Sequence, residues 1–259
     1  MAELIELSQS QGDVSVPEKK KLPDKKVHVW RKCPAGFHFV KEHLSHIPPS
    51  KAHPGGLVTT VHEHCAANPS HKDQLSHGEI QYIANKYFSS LSGPPTKNVL
   101  TNLFPKADNY DLEIRGWVHY WNDIFHLDVP LDPNLIKALI ATESSFEIQP
   151  KGRSRAYGLM QLMPKTFSIL HDIKGELSDY LIHIPQKEYL DVSANICAGV
   201  RWLFQKKKLA GVRLGREASW TEAVIEYKSY WDAVNRGEDP IAMQHFRQYS
   251  QLLEQPQDL

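Results

Sequence analysis

The sequence predicts a mainly α-helical protein whose helices follow a short segment of strands and loops. Three observations carry this. From Ser76 onward, apolar residues recur at helical spacing. Helix-starting signals, among them capping boxes and a proline at a first helical position, stand directly before those stripes. Nine of the 14 histidines fall between His28 and His77, mixed with proline, glycine and short β-prone pieces.

Taken in order, residues 1–26 combine low hydrophobicity with a lysine run from Lys19 to Lys21, the composition of a flexible leader. Residues 27–75 read as a small His- and Cys-rich β/loop module, with strand candidates VHVW at 27–30 and LVTTV at 57–61. Val40, Glu42, His43 and Pro48 return in the same spacing as Val61, Glu63, His64 and Pro69, an echo that suggests two similar β or turn units. The remainder, 78–259, reads as one helical domain.

Ser76 and Glu79 have capping-box spacing ahead of Ile80, Ile83, Ala84, Tyr87 and Phe88, and SGPPTKN at 92–98 breaks the pattern. A second helix is expected over about 110–125, with Ile114, Trp117, Val118 and Trp121 inward. Asp132 caps a third, with Pro133 at its first position and Leu135, Ile136, Leu139 and Ile140 as its buried stripe. Pro164 opens another, and three more are expected over 190–207, 220–234 (after Ser219, with Glu222 in a capping box) and 240–254.

Composition narrows the function. In 259 residues, 30 Lys+Arg balance 30 Asp+Glu, which argues against nucleic acid as the main partner, since phosphate binding needs a concentrated positive surface. No run of 18 apolar residues exists to span a bilayer, and the first residues lack the apolar core of a Sec-type signal. Three cysteines, an odd number, are too few for a disulfide framework, which leaves Cys33 and Cys65 to pair or to share a metal. Drawn from Cys33, His38 or His43, His62 or His64, and Cys65, a Zn²⁺ set is chemically suitable; Cys33, His43, His64 and Cys65 are its leading members. The same segment also reads as a unit docking on the helical body or a wall polymer through Trp30, Phe37 and Phe39, or as an adaptor to a delivery machine.

Glu143 stands one turn past Leu139 and Ile140, followed by Ser144, Ser145 and Phe146. That places it near the buried side of its helix, where desolvation favours a neutral carboxyl, the form a general acid requires. A surface glutamate ending a helix fits the same local pattern. In YGLMQLMPKTF at 157–167, Gly158 permits close backbone approach, while Leu159, Met160, Leu162 and Met163 also read as core.

These residues resemble the catalytic domain of the soluble lytic transglycosylases, members of the lysozyme-like superfamily related to goose-type lysozyme. Glu143 matches the glutamate of E-S-x-[FW]; Gly158, Leu159, Met160, Gln161, Met163 and Pro164 match G-L-M-Q-x-M-P; Asn195, Ile196 and Gly199 match N-I-x-x-G; Tyr227 matches the tyrosine of A-Y-N-A-G. The four motifs span about 130–235. Two departures stand out. Gly152 occupies a position where the family often has serine, with Ser154 two further on, and the family's A-Y-N-A-G reads Glu226, Tyr227, Lys228, Ser229, Tyr230.

The resemblance implies a lysozyme-like helical domain that cleaves the bond between N-acetylmuramic acid and N-acetylglucosamine in peptidoglycan. Glu143 would act as general acid and then general base, leaving 1,6-anhydromuramyl ends, with Tyr227 hydrogen-bonding near its carboxyl. Gln161, Met163, Ser154, Asn195 and Tyr157 are the expected substrate-binding residues. A hydrolytic muramidase is the near alternative and needs a second carboxylate, Glu226 first, then Glu147, Asp172 and Asp191. A non-catalytic wall-binding or secretion-apparatus component is the further alternative. The expected place of action is the periplasm or cell wall. Without a Sec-type signal, delivery as an antibacterial effector by a contractile secretion system, or as a phage lysin, follows. A secretion-system component and a cognate inhibitor or immunity protein would then be partners.

Overall fold

The computed structural model describes residues 30–149 and 155–255; the expected leader lies outside them, as does the expected strand at 27–30 apart from Trp30, which sits in a turn. The chain is mainly α, as the sequence predicts. Among the described residues the helices are α1 (His77–Tyr87), α2 (Asp111–Phe125), α3 (Pro133–Ser144), α4 (Pro164–Leu170), α5 (Val192–Leu214), α6 (Trp220–Tyr227), α7 (Trp231–Asn235) and α8 (Ile241–Glu254).

Local signals placed most of these starts. Ser76 and Glu79 form a reciprocal capping box for α1, and Ser219 and Glu222 form one for α6. The Asp132 carboxylate accepts the Asn134 N–H at the start of α3, with Pro133 at the first position. Longer than expected, α5 runs on to Leu214 and ends where Gly215 turns left-handed at φ 66°.

The core is built where α2 faces α5. Trp117, Tyr120 and Trp121 are buried on α2, and the two tryptophan N–H groups cross to α5, Trp117 Nε1 donating to Ser193 Oγ at 2.8 Å and Trp121 Nε1 to the Cys197 carbonyl at 3.0 Å. Each indole therefore buries its ring without orphaning its donor. Lys137 on α3 is 0% exposed, and its ammonium meets Asp108 at 2.6 Å, Asp111 at 2.8 Å and the Thr96 carbonyl at 2.9 Å. Burial pushes Asp111 up to about 6, even with Lys137 beside it. For Asp108, burial is outweighed by the Lys137 and Asn98 hydrogen bonds, which hold it below the usual carboxylate range.

Ahead of the helices runs a bent ribbon. Strand β1 (Phe37–Val40) pairs antiparallel with β4 (His64–Ala67), and β2 (His43–Ile47) with β3 (Leu57–Val61). The V-x-E-H echo sits at the bend, Val40 opposite His64 and His43 opposite Val61. In each copy the histidine Nδ1 meets the carbonyl two residues back, His43 with Lys41 at 2.9 Å and His64 with His62 at 2.8 Å. The repeat thus encodes one shared kink on two facing strands. Two further strands, β5 (Asp73–Ser76) and β6 (Tyr180–His183), pair in parallel and tie the approach to α1 onto the segment before α5.

Of the two readings for Cys33 and Cys65, pairing is the one the structure shows. Cys33 and Cys65 form a disulfide with S–S 2.02 Å, so neither sulfur is a thiolate ligand, and no group of three or more His, Cys, Asp or Glu among the described residues could hold a metal ion. The start of the ribbon is docked on the helical body. Trp30 donates to Asp123 and packs edge-on against Tyr87, Phe88 and Tyr120, while the buried Arg31 guanidinium pairs with Asp73 and Glu79 and reaches the Phe37 and Gln74 carbonyls. No described helix is long and apolar enough to cross a membrane.

Candidate active site

Glu143 lies in the last turn of α3, and the turn that ends this helix is unusual. Ser145 and Phe146 both adopt left-handed backbone, at φ 53° and 63°. A bulky residue pays a steric cost there, which the surroundings must offset. Phe146 is 0% exposed, stacked on Tyr110 and tilted against Phe104, so its ring acts as a plug beyond the end of α3 at Ser144. Glu143 is thereby left at a fixed helix end with its side chain 17% exposed.

The Gly158–Met163 loop is clamped onto α5 by the other motif. Asn195 is 0% exposed; its Oδ1 accepts the Met160 N–H at 2.9 Å, and its Nδ2 donates to the Tyr157 carbonyl at 2.9 Å and the Tyr189 carbonyl at 3.3 Å. Both polar atoms of the side chain are thus bonded inside the protein. The glycines of the two motifs serve the same contact. A Cβ on Gly158 would lie 2.3 Å from the Asn195 amide, and one on Gly199 would lie 2.3 Å from Met160 Sδ and 2.8 Å from its Cβ. Gly199→Ala is therefore expected to displace Met160 and cost about 1–3 kcal/mol by overpacking, measured by urea unfolding, with a parallel fall in activity.

The clamped loop is itself strained. Gln161 is left-handed at φ 47°, and its side-chain amide donates to the Gly158 carbonyl at 2.8 Å. Leu159, Met160 and Leu162 are core, as their apolar character suggests, whereas Met163 is 46% exposed at the start of α4. Tyr157 exchanges backbone hydrogen bonds with Leu162 and sets its ring edge-on to Tyr189. Ser154 lies outside the described residues.

The third side of the site comes from the end of α6. A single helix was expected over 220–234, but the chain breaks after Tyr227. Ser229 turns left-handed at φ 57°, with Tyr230 N–H bonding the Ile225 carbonyl and Ser229 N–H the Glu226 carbonyl, the double closure of a Schellman motif built on serine instead of glycine. This turn points Lys228 back at α3. Its ammonium donates to Glu143 Oε1 at 2.5 Å, and the lysine side chain is 5% exposed. The sequence flagged Lys228 as a departure from the family pattern without revealing its partner.

The Tyr227 hydroxyl donates to the Met160 carbonyl at 2.6 Å, so its proton serves the loop beside Glu143. Burial pushes that hydroxyl well above its ordinary range, and the nearby Glu143 charge adds to the effect. Glu226 is ion-paired. Its carboxylate is 13% exposed and held by Lys206 at 3.6 Å and Arg213 at 3.3 Å, both on α5. Glu147 pairs with Lys106, Asp172 accepts the Lys174 N–H, and Asp191 caps α5 by accepting the Ala194 N–H.

Three chain segments far apart in sequence are thus joined, 227–230 bonding Glu143 through Lys228 and the 158–163 loop through Tyr227, and 143–146, 158–163 and 227–230 each carry a non-glycine residue with positive φ. A cavity of about 490 Å³ over Phe125 and Phe204 is lined by none of these residues. Residues 128–236 match the family described as Transglycosylase SLT domain. No curated protein sequence matches the chain significantly. The matched stretch contains Glu143, the clamped loop, Asn195 and Tyr227, and residues 128–236 therefore constitute a soluble lytic transglycosylase domain of the lysozyme-like superfamily, the domain of peptidoglycan-cleaving enzymes.

Proposed function

We propose that the chain cleaves the muramyl–glucosaminyl bond of peptidoglycan by the lytic route, with Glu143 as both acid and base. The proton on Glu143 passes to the glycosidic oxygen as the bond to C1 breaks and positive charge develops on the sugar ring. The resulting carboxylate then takes the proton of the sugar's own C6 hydroxyl as that oxygen closes on C1. No water enters, and Glu143 ends protonated, as it began.

The observation that supports this route over hydrolysis is the fate of the other carboxylates. Glu226, Glu147, Asp172 and Asp191 are each engaged by cations or backbone N–H groups, which favours a route that asks none of them to activate water. The intramolecular route needs no such group, because the substrate supplies its own nucleophile. Exposed Met163 and the Gly158–Gln161 turn are the surface we assign to the sugars. The Cys33–Cys65 disulfide supports action in an oxidising space such as the periplasm or the wall.

Mass spectrometry of fragments released from purified peptidoglycan tests the product. Muropeptides ending in 1,6-anhydro-N-acetylmuramic acid are expected. Reducing ends heavier by one water would overturn the lytic route and return attention to a second carboxylate.

A further inference from the structure

Among the described residues, Lys228 is the charged group paired with Glu143, and it stands where the resembled family has a neutral asparagine. While the pair is closed, Glu143 Oε1 accepts the Lys228 ammonium at 2.5 Å, so that oxygen is not free to face a glycosidic oxygen. Nor does a neighbouring acid draw the ammonium away. Glu226, two residues earlier, is held by Lys206 and Arg213. Turnover therefore requires the 5%-exposed ammonium to find another anion, since leaving it buried and unpaired is costly.

We propose that this anion is a carboxylate of the substrate, so that Lys228 makes cleavage conditional on an acidic glycan. Muramyl sugars carry a lactyl ether at C3 that ends in a carboxyl group, free in bare strands and replaced by stem-peptide carboxylates in substituted ones. When such a group takes over the Lys228 ammonium, Glu143 is released, accepts a proton from solvent, and becomes the acid of the reaction described above. No bond to Lys228 forms or breaks, and it keeps its proton throughout. Lys228 is in this account a specificity-determining residue that acts through Glu143, and the inference rests on the proposed role of Glu143.

The test compares bare muroglycan strands bearing free lactyl carboxylates with the same strands after carbodiimide coupling to methylamine, which leaves them neutral. The wild-type enzyme is expected to lose about tenfold or more in kcat/KM on the neutral strands, the scale of one charge-assisted hydrogen bond. Lys228→Asn is expected to treat the two strands alike, and Lys228→Arg to keep the discrimination. Equal rates of the wild-type enzyme on both strands would overturn the proposal without any variant. So would an unchanged preference in folded Lys228→Asn, or loss of preference in Lys228→Arg, which keeps the charge. Glu143→Gln separates the two readings: activity surviving in that variant would sink the role of Glu143 itself, whatever the preference between strands.

Discussion

Glu143→Gln should lower the rate of peptidoglycan cleavage by about 10³-fold or more while leaving binding to the insoluble polymer intact. General acid–base catalysis by one positioned group contributes on the order of 10²–10⁴-fold, and Glu143 is asked to move a proton twice in each cycle. The amide keeps the shape and retains an oxygen that accepts from Lys228, which now bonds Glu143 Oε1. The fold should therefore survive, and the variant's melting curve checks that it does. Turbidity loss of a peptidoglycan suspension measures the rate, and co-sedimentation measures binding. A wall-binding component without chemistry would give the same readings for both proteins, and that outcome would remove the enzymatic reading.

The second large effect concerns stability and lies away from the site. Lys137→Met should destabilise the protein by about 3–5 kcal/mol near neutral pH, because it leaves Asp108 and Asp111 close together with no cation between them. The effect should shrink in acid. Asp111 is already pushed up to about 6 by burial, so its folded form binds a proton more readily than its unfolded form. For such a group the stabilising contribution is complete below the unfolded carboxylate range and is lost as pH rises through about 6. Removing Lys137 takes away the charge that opposes this shift, so the variant should recover part of its deficit at pH 5 relative to pH 8. Urea titrations at the two pH values measure it; a deficit that is equal at both, or larger in acid, would show that the carboxylates do not carry the cost.

Much of the helical frame was legible because its signals are local. Ser76 with Glu79 and Ser219 with Glu222 each precede an apolar helical stripe, and both capping boxes formed. The V-x-E-H echo was visible as spacing, but its meaning was not, since the two copies make one kink only when their strands lie face to face. Non-local pairings such as β5 with β6 leave no mark within a short window. The break between α6 and α7 escaped because serine seldom takes the left-handed position that Ser229 holds.

In the site, motif spacing located Glu143, Gln161, Asn195 and Tyr227 but could not assign their bonds. A buried amide that clamps a loop and one that grips a sugar look alike in sequence. Asn195 and Tyr227 both turned out to hold the Met160 backbone, one through its N–H and the other through its carbonyl. Lys228 reaches Glu143 only because a turn at Ser229 redirects the chain, and that turn follows from tertiary packing.

Cys197 has a consequence for how the chain matures under oxidising conditions. Three cysteines allow three single pairings, two of them wrong. Cys197 is 0% exposed on the face of α5 that receives Trp121, and burial pushes its thiol well above the ordinary range, away from the reactive thiolate. Once α2 and α5 have come together, the third sulfur is withdrawn from exchange, and Cys33 and Cys65 have only each other. A mispaired bond to Cys197 would hold α5 out of the core, so the order in which helices dock and sulfurs oxidise becomes a form of proofreading.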